Sequence, residues 1–301
     1  MTKPHEIKAQ SFGAHMSIAG GLHRAIERGL DAGCDCIQIF VRNQRQWSAK
    51  PLDEDIIQLW KASAQKAGMS HIVAHASYLV NLASVDPVIW DKSIAALTDE
   101  LERCEALGVR HLVFHPGAQG QSTLKEGIGR IAEGLDQIHQ RTRGLKASLL
   151  LETTAGQGSS IGHRFEHLAE ILAAVRAPAR LGICIDTCHI FAAGYALSPP
   201  HAYAATMREF EHIVGVEWVK CIHVNDSKKD LGSRVDRHEH IGEGHIGLAG
   251  FRNLVNDARF FGVPKILETP KGTHTNGRDL DRVNLARLRR LVRRKRRTMR
   301  Q

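Results

Sequence analysis

Histidine, aspartate and glutamate residues recur at the ends of apolar runs along this chain of 301 residues. Six successive runs rich in Val, Ile or Leu end at or beside His75, His115, Glu152, Asp186, His223 and Glu268. Three further candidates follow two of these runs: His189, Asp236 and His238. A single such residue in an apolar run is usually a buried polar group with satisfied hydrogen bonds. Six in succession instead indicate a cluster, and buried carboxylates and imidazoles do not cluster without compensating charge.

Divalent metal ions supply such compensating charge. Imidazole and carboxylate ligands without a thiolate are typical of Zn²⁺, with Mn²⁺ or Fe as the next candidates. About five such ligands saturate one ion, so the nine candidates indicate two or three ions. Several metal ions at one site suit the hydrolysis of a phosphodiester, because they activate water and stabilise the alkoxide that leaves. The residue types therefore predict a metal-dependent hydrolase.

The segments that must position these residues alternate along the chain between short apolar runs and longer stretches of helical periodicity. The predicted strands span residues 12–17, 36–41, 72–76, 111–116, 148–153, 181–187, 219–225 and 264–269. The longest helical segment has Pro87 at its start and Gly108 at its end, as helix termini prefer. Continuous apolar strands separated by helices indicate a parallel sheet that is buried on both faces.

Eight such units without a linker predict an α/β fold, a single closed (β/α)8 TIM barrel over residues 12–290. We expect residues 1–11 to form an N-terminal extension and residues 291–301 a basic C-terminal tail. An open doubly wound sheet is the alternative, but the chain has no GxGxxG or P-loop motif, and no nucleotide cofactor is expected. A barrel gathers the C-terminal ends of its strands at one mouth, where the nine candidate residues would meet.

Two other histidines, His71 and His111, lie four residues before His75 and His115. Residues four apart on a strand share a face but lie about 13 Å from each other. Only the later member of each pair can therefore reach the mouth, and the earlier members are expected as surface residues at the opposite end of the barrel.

The cysteines of the chain are expected to be structural. Most of them lie in apolar, strand-like runs, where a free thiol behaves as a small hydrophobic group. A thiolate zinc site or disulfides are the alternatives, but the two close pairs lack the spacing of a zinc knuckle. The six residues are Cys34, Cys36, Cys104, Cys184, Cys188 and Cys221.

The net charge of +9 arises at the C-terminal end of the sequence. Residues 282–300 contain ten basic and no acidic side chains, so the remainder carries 9 − 10 = −1. The basic segment either contacts a phosphate backbone or is a solvated helix end and tail. No apolar run approaches membrane-spanning length, and residues 1–12 lack the apolar stretch of a secretory signal. We expect a cytoplasmic protein, nuclear in a eukaryotic host, with no membrane partner.

Several motifs, read in order along the chain, resemble the endonuclease IV family. The resemblance runs from about residue 12 to about residue 270 and rests on GAHMSIAGG, NQRQW, HASYLVNLAS, FHPG, ETTAGQGSSIG, CIDTCHIFAAGY, HVNDSK and GSRVDRHEHIGEGHIG. It implies a class II apurinic/apyrimidinic endonuclease of base-excision repair, folded as a TIM barrel with three zinc ions, Mn²⁺ being a possible substitute. The expected substrate is double-stranded DNA with abasic or 3′-blocked lesions, and the expected state is a monomer.

Carried over motif by motif, the resemblance implies three ligand sets. The first zinc would be held by His75, His115 and Glu152. The second would share Glu152 and add Asp186, His223 and Glu268, and the third would be held by His189, Asp236 and His238. The choice of His238 over His240 and His245 rests on the VDRH motif alone. Glu152, Glu268 and His115 are the expected catalytic residues.

The implied reaction is attack of metal-activated water on the phosphorus 5′ to the lesion, which leaves a 3′-OH and a 5′-deoxyribose phosphate. Removal of 3′-blocking groups is also implied. Arg45, Tyr78 and Leu79 match residues that the family inserts into the minor groove, where side-chain insertion kinks the duplex. Without the resemblance, Tyr78 and Leu79 would be interpreted as core residues capping the third strand. Thr153 stands where many family members have Asn, which affects hydrogen bonding near Glu152 rather than a ligand.

Two other functions are compatible with parts of the pattern. A metal-dependent sugar isomerase or epimerase would use a related barrel, but it needs neither the third ligand set nor the NQRQW loop. A non-catalytic DNA-binding protein on the same barrel is disfavoured because ligand residues stand at all nine positions.

Overall fold

Eight parallel strands close into a barrel in the computed structural model, which describes residues 10–69, 71–275 and 277–293. Around the barrel each strand pairs with its neighbours in chain order, and β1 closes against β8. The strands are β1 (Ser11–His15), β2 (Cys36–Phe40), β3 (Ile72–His75), β4 (His111–Phe114), β5 (Ser148–Glu152), β6 (Leu181–Asp186), β7 (Val219–His223) and β8 (Pro264–Leu267). The predicted fold class is confirmed, and each predicted strand is present within two residues at either end.

The helices lie between successive strands, except for the last, which follows β8. They are α1 (Leu22–Ala32), α2 (Glu54–Ala67), α3 (Pro87–Leu107), α4 (Leu124–Arg141), α5 (Phe165–Ala174), α6 (Thr187–Ala193), α7 (Pro200–Ile213), α8 (Gly247–Val255) and α9 (Leu280–Leu291). Within the described ranges, no helix is both long enough and apolar enough to span a bilayer.

Residues at the two ends of helix α3 determine where this helix begins and ends. Its first turn is capped by Asp86, whose carboxylate accepts hydrogen bonds from the backbone N–H groups of Val88 and Ile89, with Pro87 in the first helical position. Its end is set by Gly108, whose φ of 73° is the left-handed conformation that glycine adopts without strain. Both predicted ends of this helix are therefore confirmed.

Two elements on the metal side of the barrel were not predicted. The short helix α6 directly follows β6, and Asp186 caps it by accepting a hydrogen bond from the backbone N–H of His189 at 2.8 Å. The two residues Asp226–Ser227 pair antiparallel with His238–Glu239 and fold back the loop that follows β7. Both elements are too short to leave a periodic signal.

The barrel interior beneath the mouth is apolar. Its central cluster contains Cys36, Val73, Val113, Leu150, Cys184, Cys221 and Ile266, all essentially inaccessible to solvent. All six cysteines are free and buried, which excludes the disulfide alternative and agrees with the structural interpretation of these residues. This packed apolar layer is the floor of the mouth and lies directly beneath its polar residues.

Strand β1 begins at Ser11 and helix α9 ends at Leu291. Most of the expected N-terminal extension, residues 1–9, and most of the expected basic tail, residues 294–301, lie outside the described residues.

Candidate metal centre

The barrel brings all nine predicted ligand residues to the C-terminal mouth of its strands. His75, Glu152, Asp186 and His223 are the last residues of β3, β5, β6 and β7. His115 and Glu268 directly follow β4 and β8, His189 lies in α6, and the remaining two candidates, Asp236 and His238, lie in the loop after β7. The eight-strand closure thus gathers residues that are far apart in the sequence.

The nine residues divide into three groups whose candidate ligand atoms lie within 4.8 Å of one another. One group is His75, His115 and Glu152; the second is Glu152, Asp186, His223 and Glu268; the third is His189, Asp236 and His238. These are the sets that the family resemblance implied. Two other groups of compatible atoms include a cysteine, namely Cys184 with Cys221 and His223, and Cys188 with Asp186 and His238.

Glu152 is the centre of the arrangement because it belongs to two groups. Its Oε2 lies 3.1 Å from Nε2 of His75 and 3.1 Å from Nε2 of His115. Its Oε1 lies 2.9 Å from Nδ1 of His223 and 3.3 Å from Nδ1 of His189. Each carboxylate oxygen therefore faces a different set of imidazoles, as a ligand shared between two cations would.

The third group is built around Asp236. One carboxylate oxygen lies 3.2 Å from Nε2 of His189 and the other 3.3 Å from Nε2 of His238. The backbone N–H of Asp236 donates to Oε1 of Gln157 at 3.1 Å, and two residues earlier Arg234 has a left-handed φ of 54°. This uncommon backbone conformation turns the loop so that Asp236 faces the mouth.

Two nitrogen atoms in this group test whether a cation fits. Nε2 of His189 and Nε2 of His238 are buried and make no hydrogen bond within the described part of the chain. Buried polar atoms are almost always satisfied, and an unsatisfied one requires a partner. Both nitrogens face the same carboxylate, so a cation between them would satisfy all three side chains. The donor set, imidazole and carboxylate, is one that Zn²⁺ accepts.

The electrostatics of the mouth favour positive charge. Burial opposes protonation of His189, but the carboxylates of Asp186 and Asp236 outweigh it and raise the pKa of this histidine well above its ordinary value. Burial likewise opposes protonation of His223, but Glu268 and Glu152 outweigh it and raise its pKa well above the ordinary value. Protons and metal ions compete for the same nitrogens, so the field that favours protonation also favours cation binding.

A buried amide that the sequence analysis missed connects two candidate ligands. Gln38 of β2 donates a hydrogen bond to Oε1 of Glu268 at 2.6 Å, and its Oε1 lies 2.8 Å from Nε2 of His223. His223 therefore directs Nδ1 toward Glu152 and Glu268 while its other nitrogen is held by the amide. The only signal in the sequence is a polar Gln inside the apolar run CIQIF; its side chain is fully buried in the structure.

Hydrogen bonds from Asn225 and Thr153 fix the positions of further candidate ligands. Asn225 donates to Oδ2 of Asp186 at 2.7 Å and accepts from the backbone N–H of Glu268 at 2.7 Å. The Thr153 hydroxyl accepts from the backbone N–H of Asp186, and the Thr153 carbonyl lies 2.8 Å from Nδ1 of His189. The expected influence of Thr153 on hydrogen bonding near Glu152 thus acts through Asp186 and His189.

The neighbouring histidines are directed elsewhere. His240 Nδ1 lies 3.0 Å from the Asn284 amide, and His245 pairs with Asp230 at 2.9 Å, so neither faces the three groups. His71 and His111 lie at the opposite end of the barrel, where they line a different cavity, as expected.

The residues predicted to contact DNA lie beside the mouth. Tyr78 is 64% exposed, so the alternative that it is a core residue is wrong, whereas Leu79 is partly buried. Both line a groove of about 670 Å³ that also contains His115, His189 and Asp236. Arg45 is exposed in the loop that follows β2.

Comparisons with known proteins bear on this geometry. A family model described as a xylose isomerase-like TIM barrel matches residues 26–291. A probable endonuclease 4 from Chloroflexus aggregans is 50% identical over 282 residues, which cover 94% of this chain and 98% of that relative. The chain belongs to the endonuclease IV family. The expected class of activity, that of a DNA-repair endonuclease, is confirmed with this membership.

Other relatives of the endonuclease IV family agree. A probable endonuclease 4 from Trichlorobacter lovleyi is 47% identical over 280 residues, covering 93% of this chain and 99% of that relative. The crystal structure of endonuclease IV from Thermus thermophilus superimposes with a TM-score of 0.81 at 36% identity, covering 93% of this chain and 98% of that chain.

The barrel itself is shared more widely. The crystal structure of a D-tagatose 3-epimerase-like protein superimposes with a TM-score of 0.70 at 20% identity, covering 94% of this chain and 97% of that chain. At this identity the likeness shows a common fold only. The isomerase or epimerase alternative was based on a related barrel, and the structural likeness agrees with that relation. It does not support isomerase or epimerase activity.

Proposed function

We propose that this endonuclease IV family member hydrolyses the phosphodiester 5′ to an abasic site in duplex DNA and leaves a 3′-OH and a 5′-deoxyribose phosphate. The observation that carries the proposal is the meeting of three groups of imidazoles and carboxylates at one open mouth. Removal of 3′-blocking phosphates or phosphate esters belongs to the same proposal, because it is hydrolysis of a phosphoester at the same site.

Three zinc ions, for which Mn²⁺ can substitute, would be held by the three groups. His75, His115 and Glu152 would hold one, and Glu152 would be shared with a second that Asp186, His223 and Glu268 complete. His189, Asp236 and His238 would hold the third. When bound, the ions supply Lewis acidity, which lowers the pKa of water and stabilises a departing alkoxide. The third group supports a nuclease over a sugar isomerase, which does not need it.

The protein's own side chains have three tasks in this proposal. Glu152, as the shared carboxylate, sets the spacing between two cation sites, and His115 extends the mouth toward the groove. Glu268 is oriented by Gln38 so that one carboxylate oxygen faces His223, and the apolar floor of the barrel excludes bulk water from below.

Lesion recognition would fall to Arg45, Tyr78 and Leu79. An exposed aromatic ring at the edge of the groove can enter the space that a missing base leaves. Extrusion of an abasic nucleotide is less costly than extrusion of an intact one, because no base has to be unstacked. This difference gives a physical source of selectivity.

The decisive experiment combines incision with metal counting on one sample. A duplex carrying a single abasic analogue should be cut 5′ to the lesion by protein containing three zinc ions per chain. Exhaustive chelation should abolish incision, and Zn²⁺ or Mn²⁺ should restore it. Unchanged incision after verified metal removal would contradict the mechanism.

A matched pair of variants separates the ligands from their neighbours. His238→Gln should lower the zinc content by about one ion per chain, because it removes one of three ligands. His240→Gln, two residues away and directed toward Asn284, should retain the full content. Equal zinc contents in the two variants would remove His238 from the proposed site.

A further inference from the structure

The loop that follows β7 contains a buried carboxylate to which the proposed incision assigns no task. This residue, Asp226, is inaccessible to solvent. It begins the two-residue strand that pairs with His238–Glu239. Among the described residues it belongs to none of the groups of candidate ligands. A buried charge is costly to keep, so its surroundings should show what it stabilises.

The carboxylate of Asp226 is surrounded by backbone N–H groups. Its Oδ1 accepts hydrogen bonds from the N–H groups of Ser227 at 2.8 Å and Ile246 at 2.9 Å, and its Oδ2 accepts from Gly242 at 2.9 Å. The N–H of Gly247, the first residue of α8, lies 3.4 and 3.3 Å from the two oxygens. Hydrogen bonds to a charged acceptor are stronger than those to a neutral one. One side chain thus holds the start of the loop, its return and the first turn of α8 together.

A glycine allows the loop to close on this carboxylate. At Gly244 a Cβ atom would overlap the carbonyl oxygen of Ser227 and would lie 2.6 Å from Oδ1 of Asp226. The backbone can approach this closely only where no side chain is present. The contact between the returning loop and Asp226 is therefore specified twice, by the carboxylate and by the missing side chain.

The same fold of the loop fixes the backbone around His238, a member of the third group of candidate ligands. Ser227, next to Asp226, pairs with His238 in the antiparallel hairpin. The backbone N–H of Lys228 donates to the carbonyl of Arg237 at 2.9 Å. The strand that carries His238 is thus held against the residues that directly follow Asp226.

We propose that Asp226 is a positioning residue for the third cation site, the one formed by His189, Asp236 and His238. It acts through the backbone of the loop, which it folds before a cation binds. The cost of ordering His238 is then met by folding instead of by the binding free energy of the ion. This inference rests on the proposed function, because it assumes that the third group binds zinc.

The test titrates zinc into Asp226→Asn in a chelator-buffered series and counts the bound metal. The amide has nearly the same shape, but in either orientation its NH₂ group faces backbone N–H groups at one of the two oxygen positions. The affinity for one zinc ion per chain should fall by about 10- to 100-fold, as is usual when a group that orients a ligand is lost. The affinities for the other two ions should not change.

Asp230→Asn is the matched control. This carboxylate lies in the same loop, but it is 85% exposed and pairs with His245 at the surface. The substitution removes the same charge and should leave all zinc affinities at the wild-type values.

A second variant displaces the loop without changing the carboxylate. Gly244→Ala should weaken the same single zinc ion, because its Cβ forces the returning loop away from Asp226. Gly129→Ala in α4, where a Cβ meets no atom within 4 Å among the described residues, should have no effect. If Asp226→Asn does not fold, as judged by circular dichroism, Gly244→Ala provides the test.

Rescue by zinc distinguishes positioning from general stability. Asp226→Asn keeps all nine candidate ligands, so saturating zinc should restore incision to within a few-fold of the wild-type kcat. His238→Gln lacks a ligand and should remain impaired at the same zinc concentration. A variant that is merely less stable would lose all three ions together.

Three results would overturn the inference: wild-type zinc affinities in the folded variants, an equal loss in Asp230→Asn, or a loss spread over all three ions. Fewer than three ions in the wild type would overturn both the inference and the proposed metal set. A wild type that holds three ions but does not incise would overturn only the proposed reaction, because the zinc titration requires no DNA.

Discussion

Arg42 Nε donates a hydrogen bond to Oε1 of Glu100 at 2.7 Å, and both side chains are buried. Arg42 also donates to the carbonyl of Gln46 at 2.8 Å, while the carboxylate of Glu100 accepts from the backbone N–H of Ser77. The Ser77 hydroxyl in turn donates to the carbonyl of Gln44 at 2.7 Å. One buried ion pair thus joins the two loops that carry the residues predicted to enter DNA.

We predict that Glu100→Gln destabilises the protein by about 3 kcal/mol, because it leaves the buried Arg42 charge with only the more distant, partly exposed carboxylate of Asp99. The two loops should also lose their fixed geometry, so that KM for a lesion duplex rises more than kcat falls. Chemical denaturation and steady-state incision measure the two effects.

The neighbouring Asp99 provides the control for this prediction. Its carboxylate is 41% exposed and lies 3.8 Å from Arg42 Nε. Asp99→Asn should cost less than about 1 kcal/mol, because the partly exposed Asp99 carboxylate stays solvated and its ion pairs are screened by water. Similar losses of stability in the two variants would show that the buried pair has no special part in holding the loops.

A second prediction concerns Glu268, which lies 3.2 Å from Nδ1 of His223 and accepts from Gln38. Glu268→Gln should lower kcat by about 1,000-fold, roughly 4 kcal/mol of activation free energy, because a charged ligand becomes neutral. The dissociation constant for a lesion duplex should change by less than about threefold, since most of that affinity comes from phosphate contacts.

Glu239 offers the matched control for this substitution. Its carboxylate, in the two-residue strand of the loop after β7, faces Lys228 at 3.7 Å rather than the metal groups. Glu239→Gln should keep kcat within a few-fold of wild type. Near-normal turnover of the Glu268 variant would exclude this carboxylate from the catalytic site.

A third prediction concerns the pH dependence of stability and rests on Lys265, which is buried in β8. Its ammonium donates to the carbonyls of Phe260 and Val263, yet burial lowers its pKa from 10.5 to about 8. Because the folded pKa is the lower one, the unfolded chain binds more protons between pH 8 and 10.5. The contribution of Lys265 to stability should therefore rise with pH through this window, by about 3 kcal/mol in all.

The measurement compares the free energy of unfolding of the wild type with that of Lys265→Met at several pH values. The difference should move in favour of the wild type from pH 8 to pH 10.5. A difference that stays constant over this range would show that the buried amine of Lys265 does not titrate there.

Much of the fold was predictable because its signals are local. Each barrel strand is a short apolar run, and the caps of α3 are set by residues at its own ends, Asp86 and Gly108. Helix α6 was missed because its seven residues, TCHIFAA, are too few for a periodic pattern. Its capping residue Asp186 was recognised only as a candidate ligand.

Parts of the site depend on pairings that sequence spacing does not reveal. Gln38 meets His223 across 185 positions of sequence, and Arg42 meets Glu100 across 58. The local sequence CIQIF does not show whether the side-chain amide of Gln38 orients a candidate ligand or only satisfies its own hydrogen bonds. The sequence placed the influence of Thr153 near Glu152, but it did not reveal that the Thr153 hydroxyl contacts the backbone of Asp186.

The sequence by itself determined the order of strands and helices and the positions of the metal-ligating residue types, because periodicity and residue chemistry are properties of neighbouring residues. The tertiary structure decided which of those residues lie close enough to form a candidate cation site and how the two loops beside the mouth are held. Closure of the barrel decided this, because it brings the ends of distant strands within a few ångströms of one another. It also decided that helix α9 ends at the side of the barrel opposite the mouth, where the Leu291 carbonyl accepts a hydrogen bond from Asn256.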